Sequence, residues 1–212
     1  MRVAALVPFK CFTRAKRRLR SAFSDAEVEA LGRAMLADVL DALAGTASLE
    51  RVLVLTDDEA VAEAADQGGA QVRLQRPDPG LNPVIEAATA ELEAEGFDAC
   101  LVVLGDLPLL RPSHVEAVLD AGRDAPVVIV PSSDGGTALL YRRPPARMPA
   151  RFGEQSAAAH TDAAREHGVE PLLLTALDER VRSDLDTPED AERLLATDAP
   201  SRTREVLKEM RR

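Results

Sequence analysis

Cys100-Leu101-Val102-Val103-Leu104-Gly105-Asp106-Leu107-Pro108-Leu109-Leu110 is the stretch that decides how this chain folds. Its first five residues are small or apolar without alternation, the pattern of a strand buried on both faces in the middle of a parallel sheet. Gly105 and Asp106 follow at once, and Leu107-Pro108 stops the strand. The Asp106 carboxylate therefore belongs at the sheet's carboxyl edge, where open α/β sheets bind ligands. An acid there either holds an oxygen-preferring ion such as Mg²⁺ beside a substrate phosphate or caps the turn before Pro108.

Towards the amino terminus, Val3 to Val7 reads as a first buried strand ended by Pro8. Lys10, Lys16, Arg17 and Arg18 then collect after it, at the same edge as Asp106. Lysine offers a point charge and arginine a bidentate fork, so these residues suit a polyphosphate, unless they are a solvated basic loop. Ser24 and Glu27 form a capping box for a helix carrying Val28, Leu31, Met35, Val39 and Leu43 up to Gly45. Val52 to Leu55 gives a second strand, Ala60 to Asp66 a short helix stopped by Gly68-Gly69, and Gln71 to Leu74 a third strand. In Arg76-Pro77-Asp78-Pro79-Gly80-Leu81-Asn82-Pro83, two prolines and a glycine precede a helix start with Asn82 as N-cap and Pro83 at the first helical position. That helix runs through Ile85 and Leu92 to Gly96.

Beyond Asp106, Ser113 and Glu116 read as a second capping box, and Val127 to Val130 as a further strand stopped by Pro131. The loop Ser132-Ser133-Asp134-Gly135-Gly136-Thr137 leads into Ala138-Leu139-Leu140-Tyr141; it is either an anion-holding turn with exposed amides and the Thr137 hydroxyl, or an ordinary hairpin. Gly153 followed by Ser156 opens a helix whose free N–H groups suit an anion, although Gln155 or Ser156 also serves as a plain helix start. His114, His160 and His167 are expected on helix surfaces. After a short strand at Leu172 to Leu174, Asp184 and Asp186 share one face of an extended segment just before Thr187 as N-cap and Pro188.

Composition bounds the function. The 212 residues fit one domain, expected over 1–196, with 197–212 a polar linker and charged helix, and 46% hydrophobic with 29% charged residues is ordinary for a globular protein. A net charge of −10 argues against a nucleic-acid partner. Two cysteines, Cys11 and Cys100, are too few for a disulfide framework or a zinc site, which points to a reducing cytoplasm. No apolar run is long enough for a membrane span. Strands alternating with helices imply an α/β fold with a mostly parallel central sheet flanked by helices. With neither a P-loop nor a G-x-G-x-x-G after the first strand, cations and acids at one edge suggest attack on a nucleotide phosphate.

Leu6-Val7-Pro8-Phe9-Lys10 with Ala15-Lys16-Arg17-Arg18-Leu19, Gly80-Leu81-Asn82, Gly105-Asp106-Leu107-Pro108, Asp134-Gly135-Gly136-Thr137, Phe152-Gly153 with Ser156 and His160, and Asp184-Leu185-Asp186-Thr187-Pro188 together resemble the CofC/FbiD family. Those enzymes are guanylyltransferases of coenzyme F420 biosynthesis, similar in fold to the molybdenum-cofactor guanylyltransferase, a Rossmann-like nucleotide-diphospho-sugar transferase architecture. The resemblance implies that the phosphate of phosphoenolpyruvate or 2-phospho-L-lactate attacks the α-phosphorus of GTP and releases pyrophosphate. It implies Lys10, Lys16 and Arg18 on the triphosphate, Gly80, Leu81 and Asn82 near the guanine, and Asp106 with Asp186 or Asp184 on Mg²⁺. Lys10, Lys16 and Asp106 would be catalytic, and Thr137, Gly153 and Ser156 would hold the three-carbon acid. Its implied partners are GTP and that acid, with a homodimer or direct hand-over of product to the next F420 enzyme left open. Ala138 stands where the family often has Asn, and Glu154-Gln155 fills the turn before Ser156, which leaves the acceptor open. A relative using CTP or a molybdopterin acceptor, and a catalytically idle nucleotide-binding module, are the competing readings.

Overall fold

A run of apolar residues forms an interior strand only if both of its faces are covered, and β1 (Val3–Pro8) meets this condition. Val3, Ala5 and Val7 point into one apolar cluster and Ala4 and Leu6 into another. The same division holds for β4 (Ala99–Val103), with Leu101 and Val103 on the first face and Cys100 and Val102 on the second. The computed structural model describes residues 1–12, 16, 18–75, 79–182 and 184–212. Arg17, in the basic run, and Arg76-Pro77-Asp78, in the proline-rich loop, lie outside the described residues.

Among the described residues one sheet has seven strands. They are β1, β2 (Arg51–Thr56), β3 (Gln71–Leu74), β4, β5 (Val127–Pro131), β6 (Thr137–Arg142) and β7 (Leu172–Leu173), in the spatial order β3-β2-β1-β4-β6-β5-β7. β6 alone runs against its neighbours, β4 and β5, so the sheet is mostly parallel, as expected. The reversal comes from the hairpin alternative for 132–136, where Ser132 N–H donates to Gly136 O at 3.0 Å and Gly135 N–H to Ser132 O at 3.2 Å.

Helices α1 (Asp25–Ala44), α2 (Glu59–Gln67) and α4 (Pro112–Asp124) supply residues to the first cluster, and α3 (Leu81–Ala94) and α5 (Ser156–Glu166) to the second. A third cluster joins Leu31 and Met35 of α1 to Leu194 of α6 (Pro188–Leu195) and Leu207 of α7 (Arg202–Met210). The expected Ser24–Glu27 box caps α1, and Thr187 caps α6 with Asp190 as its reciprocal partner. No described helix is long and apolar enough to cross a membrane.

Two helix starts differ from expectation. Gly80, not Asn82, stands at the N-cap of α3, because its φ of +99° turns the chain into the helix and leaves Asn82 and Pro83 inside the first turn. Arg111 rather than Ser113 precedes α4, with Pro112 at the first helical position; Glu116 instead reaches across to Ser48, accepting from its hydroxyl at 2.7 Å.

The chain beyond α6 is tied back rather than trailing loosely. Asp38 on α1 accepts from the Ser201 and Thr203 hydroxyls at 2.8 and 2.7 Å and from the Arg202 and Thr203 amides at 2.7 and 3.0 Å. This carboxylate serves the orphan amides at the start of α7. Asp38→Ala is expected to lose about 1–3 kcal/mol of stability and to lower the Tm by several degrees. Thermal unfolding followed by circular dichroism checks this, and an unchanged Tm would mean that α7 docks through Leu207 alone.

Candidate active site

The turn after β4 brings the sheet's last buried residue directly to an acid. Gly105 has no room for a side chain, since a Cβ there would lie 2.3 Å from Cδ2 of the Phe9 ring. Phe9 thus packs onto the Gly105 backbone, and Asp106 emerges beside the loop that follows β1. Asp184 and Asp186 arrive from the segment before α6, held by Asp190, whose Oδ2 accepts the Asp186 amide at 2.9 Å and the Thr187 amide at 2.7 Å. Asp106, Asp184 and Asp186 each offer a carboxylate oxygen, all within 4.8 Å of one another.

Lys16 closes this cluster. Its Nζ donates to Asp106 Oδ2 at 2.6 Å and also to Asp186 Oδ1. Burial works against the ammonium, but Asp106 and Asp186 outweigh it and hold the Lys16 pKa above its usual value. Asp184 is pushed up to about 7, first by burial and then by the charges of Asp106 and Asp186. Asp106 Oδ1 is buried with no hydrogen-bond partner among the described residues. An all-oxygen donor set, one orphaned buried oxygen and a carboxyl driven to hold its proton together fit a hard divalent cation.

Two apolar hollows open beside Phe9 and Lys10, in the loop that follows β1. One, of about 170 Å³, is lined by Phe9, Lys10, Leu55, Gln75, Gly80 and Leu81; the other, of about 180 Å³, by Phe9, Lys10, Phe12, Lys16, Gly105 and Asp106. Each is below the roughly 300 Å³ of an ordinary ligand cleft. They share Phe9 and Lys10 in their walls; the first, the trough, carries Gly80-Leu81, and the second carries Lys16 and Asp106. Arg18 is exposed at the entrance to a short 3-10 turn, Leu19–Ser21.

Because β6 is antiparallel, its first residue lies at the carboxyl edge of the parallel strands. Val103 pairs with Leu139, which sets Thr137 alongside the Gly105-Asp106 turn. Thr137 Oγ1 lies 2.9 Å from His160 Nδ1 and accepts from the Ser156 hydroxyl at 3.1 Å, and all three residues are buried. The Arg151 amide donates to His160 Nε2 at 2.8 Å, so Nε2 carries the lone pair and Nδ1 carries the proton given to Thr137. Thr137 thereby accepts two hydrogen bonds and keeps its own hydrogen as a donor. Burial, then the charges of Arg142 and Arg151, lower the His160 pKa to about 4, so the imidazole is neutral.

The structure thus gathers Lys16, Asp106, Asp184 and Asp186 into one cluster, Lys10, Gly80 and Leu81 along the trough, and Thr137 with Ser156 beside them. Gly153, at φ +146°, opens the turn into α5 and has nothing within 4 Å of where a Cβ would stand. Asn82 turns away from the trough: its amide bonds the Phe152 backbone. His160 is buried rather than on a helix surface. Its spacing from Ala163 and Ala164, i+3 and i+4 on the apolar face of α5, is the sequence signal that locates it.

Over residues 3–212 the sequence matches the model of the guanylyl transferase CofC like family. The chain belongs to this family. It is 41% identical to a 3-phospho-D-glycerate guanylyltransferase of Phenylobacterium zucineum over 93% of this chain and 91% of that one. A 2-phospho-L-lactate guanylyltransferase of Methanothermobacter thermautotrophicus is 36% identical over 100% and 92%, and a phosphoenolpyruvate guanylyltransferase of Rubrobacter xylanophilus 37% over 93% and 95%. Among solved structures, one described as a nucleotide-diphospho-sugar transferase from Desulfovibrio desulfuricans superposes with a TM-score of 0.79 at 20% identity, covering 99% of this chain and 95% of its own. A nucleotidyl transferase from Methanothermobacter gives 0.60 at 16%, covering 99% of both. These two share the CofC-like fold, and the curated relatives carry the family assignment.

The His160 geometry sets a pH dependence. A folded-state pKa near 4, below the usual 6.5, means that the folded protein binds fewer protons than the unfolded chain between those values. The stabilisation is fully present above pH 6.5 and is lost as pH falls towards 4, by an amount on the order of 3 kcal/mol. Urea unfolding at pH 7, 5.5 and 4 is expected to show a shallower acid loss for His160→Gln than for the parent. Equal slopes would contradict a neutral buried imidazole.

Proposed function

We propose that this chain transfers GMP from GTP to the phosphate of a phosphorylated three-carbon acid, releasing pyrophosphate, and so serves coenzyme F420 assembly. The observation that carries the reading is the meeting of Lys16 with Asp106, Asp184 and Asp186 at the sheet edge that also carries the buried Thr137-Ser156 hydroxyls. The named acceptors of the three relatives are all three-carbon acids bearing one phosphate, which supports the same class here.

In this scheme Gly80 and Leu81 flank the guanine at the far end of the trough, and Lys10, Lys16 and Arg18 hold the triphosphate. Asp106 and Asp186, with Asp184, hold Mg²⁺, which when bound offsets the phosphate charge at the reacting phosphorus. Lys16 already touches two of these carboxylates, so a small rotation of its ammonium serves either carboxylate or phosphate. Thr137, Gly153 and Ser156 orient the acid with uncharged donors. Its phosphate oxygen attacks the α-phosphorus, the bond to the β-phosphate oxygen breaks, and the departing pyrophosphate takes the electron pair beside Lys10 and Lys16. Catalysis is then mostly positioning and charge neutralisation.

Incubation with GTP, Mg²⁺ and each of the three acids, followed by pyrophosphate release, is expected to give turnover with one of them. Asp106→Ala is expected to lower that rate on the order of 10³-fold while unfolding at the parent temperature. Release driven by CTP instead of GTP would overturn the base assignment, and no release with any triphosphate would leave a nucleotide-binding module.

A further inference from the structure

Asn82 stands one residue beyond Gly80-Leu81, in the first turn of α3, yet its side chain makes a long-range bond. Its Oδ1 accepts the Phe152 N–H at 2.8 Å, and its Nδ2 donates to the Phe152 carbonyl at 3.1 Å. Donor and acceptor on one residue's backbone fix which end of the amide is which. One turn along α3, Glu86 Oε1 accepts the Ala150 amide at 2.8 Å and Arg142 Nη1 at 3.1 Å. Arg142, buried between α3 and the strap, gives that same nitrogen to the Met148 carbonyl at 2.6 Å. From the opposite side, His160 on α5 takes the Arg151 amide.

Residues 148–152 therefore form a strap without strand or helix pairing, in which the Met148 carbonyl, the Ala150 and Arg151 amides and both Phe152 backbone groups bond side chains from α3, β6 and α5. The strap leads directly into Gly153 and the left-handed Gln155 that opens α5 at Ser156. At its other side Asn82 is rigidly joined to Gly80-Leu81 through the first turn of α3, where Pro83 restricts the backbone. Whatever settles the Gly80-Leu81 end of the trough also settles the Phe152 peptide, and with it the turn at Gly153.

We propose that Asn82 is a positioning residue that couples the two halves of the site, so that a guanosine triphosphate in the trough orders the Phe152-Gly153 turn and tightens binding of the phosphorylated acid. The inference rests on the function proposed above. Because coupling is reciprocal, the acid tightens the nucleotide by the same factor.

The test uses the full chain with a guanosine triphosphate whose α,β-bridging oxygen is methylene, in Mg²⁺, and the three acids titrated in turn by calorimetry. The affinity for the acid is expected to rise about tenfold when the nucleotide analogue is present. In Asn82→Ala, and in Asn82→Asp, which keeps an acceptor for the Phe152 N–H but repels the carbonyl, that ratio is expected to fall towards one. A merely structural Asn82 would shift affinities and Tm but leave the ratio intact, and that result overturns the proposal. Hydrogen exchange on the parent gives an independent reading: the analogue alone is expected to slow the 150–153 amides, and unchanged exchange there also overturns it. If the parent binds no guanosine analogue, the function itself fails; if it binds nucleotide and acid with a ratio of one, only the coupling fails.

Discussion

Three carboxylates held within 4.8 Å of one another are the constraint around which this molecule is arranged. At an effective dielectric of about 20, two unit charges at that distance repel by on the order of 3 kcal/mol. No exposed ion pair returns as much. The chain answers with Lys16, which contacts Asp106 and Asp186, and with Asp184, which keeps its proton up to about pH 7. Among the described residues one ammonium and the Asp184 proton face three acids, which still leaves a deficit, and the orphaned Asp106 Oδ1 is where a cation would meet it. The Asp186 side chain, 44% exposed against 23% for Asp106, makes its side of the cluster the more open one.

The fold meets the cost of that cluster through rigid neighbours. Asp106 follows a strand buried along its whole length, and Asp186 precedes a helix fastened by the Thr187–Asp190 box. Neither can retreat from the other without breaking core packing or a cap. The reversed strand β6 completes the arrangement, because a parallel strand in its place would carry Thr137 to the opposite edge of the sheet. One change of direction thus brings the uncharged donors to the charged cluster.

How much of this was legible follows from the range of each interaction. Buried strands, the Ser24 cap and the Thr187 cap depend on residues within a few positions, so sequence displays them directly. Asp106, Asp184 and Asp186 were legible as edge residues, since glycine, proline and a cap mark strand and helix ends around them. Asn82 misled for the same reason: Asn-Pro is a good local start, but Gly80 with its positive φ took that duty and freed the amide for Phe152, 70 positions away. The ion pairs of Lys16 had no local sign. The His160 burial had one, in its apolar helical face, which the polar side chain obscures.

The two ends of the site differ in a way that bears on its chemistry. Under the proposed function, the nucleotide end, in a chain of net charge −10, would be served by cations that must overcome the general field locally. The proposed acceptor end consists of hydroxyls and a histidine whose pKa near 4 keeps it neutral. An acid held by cations would surrender electron density from the very phosphate that has to attack. Held by neutral donors, it would be oriented while its nucleophilic oxygen stayed electron-rich, and the positive charge would remain where it favours the leaving pyrophosphate. In that scheme the burial that lowers the His160 pKa belongs to the division of labour, because a protonated imidazole at Thr137 would place a charge on the wrong substrate.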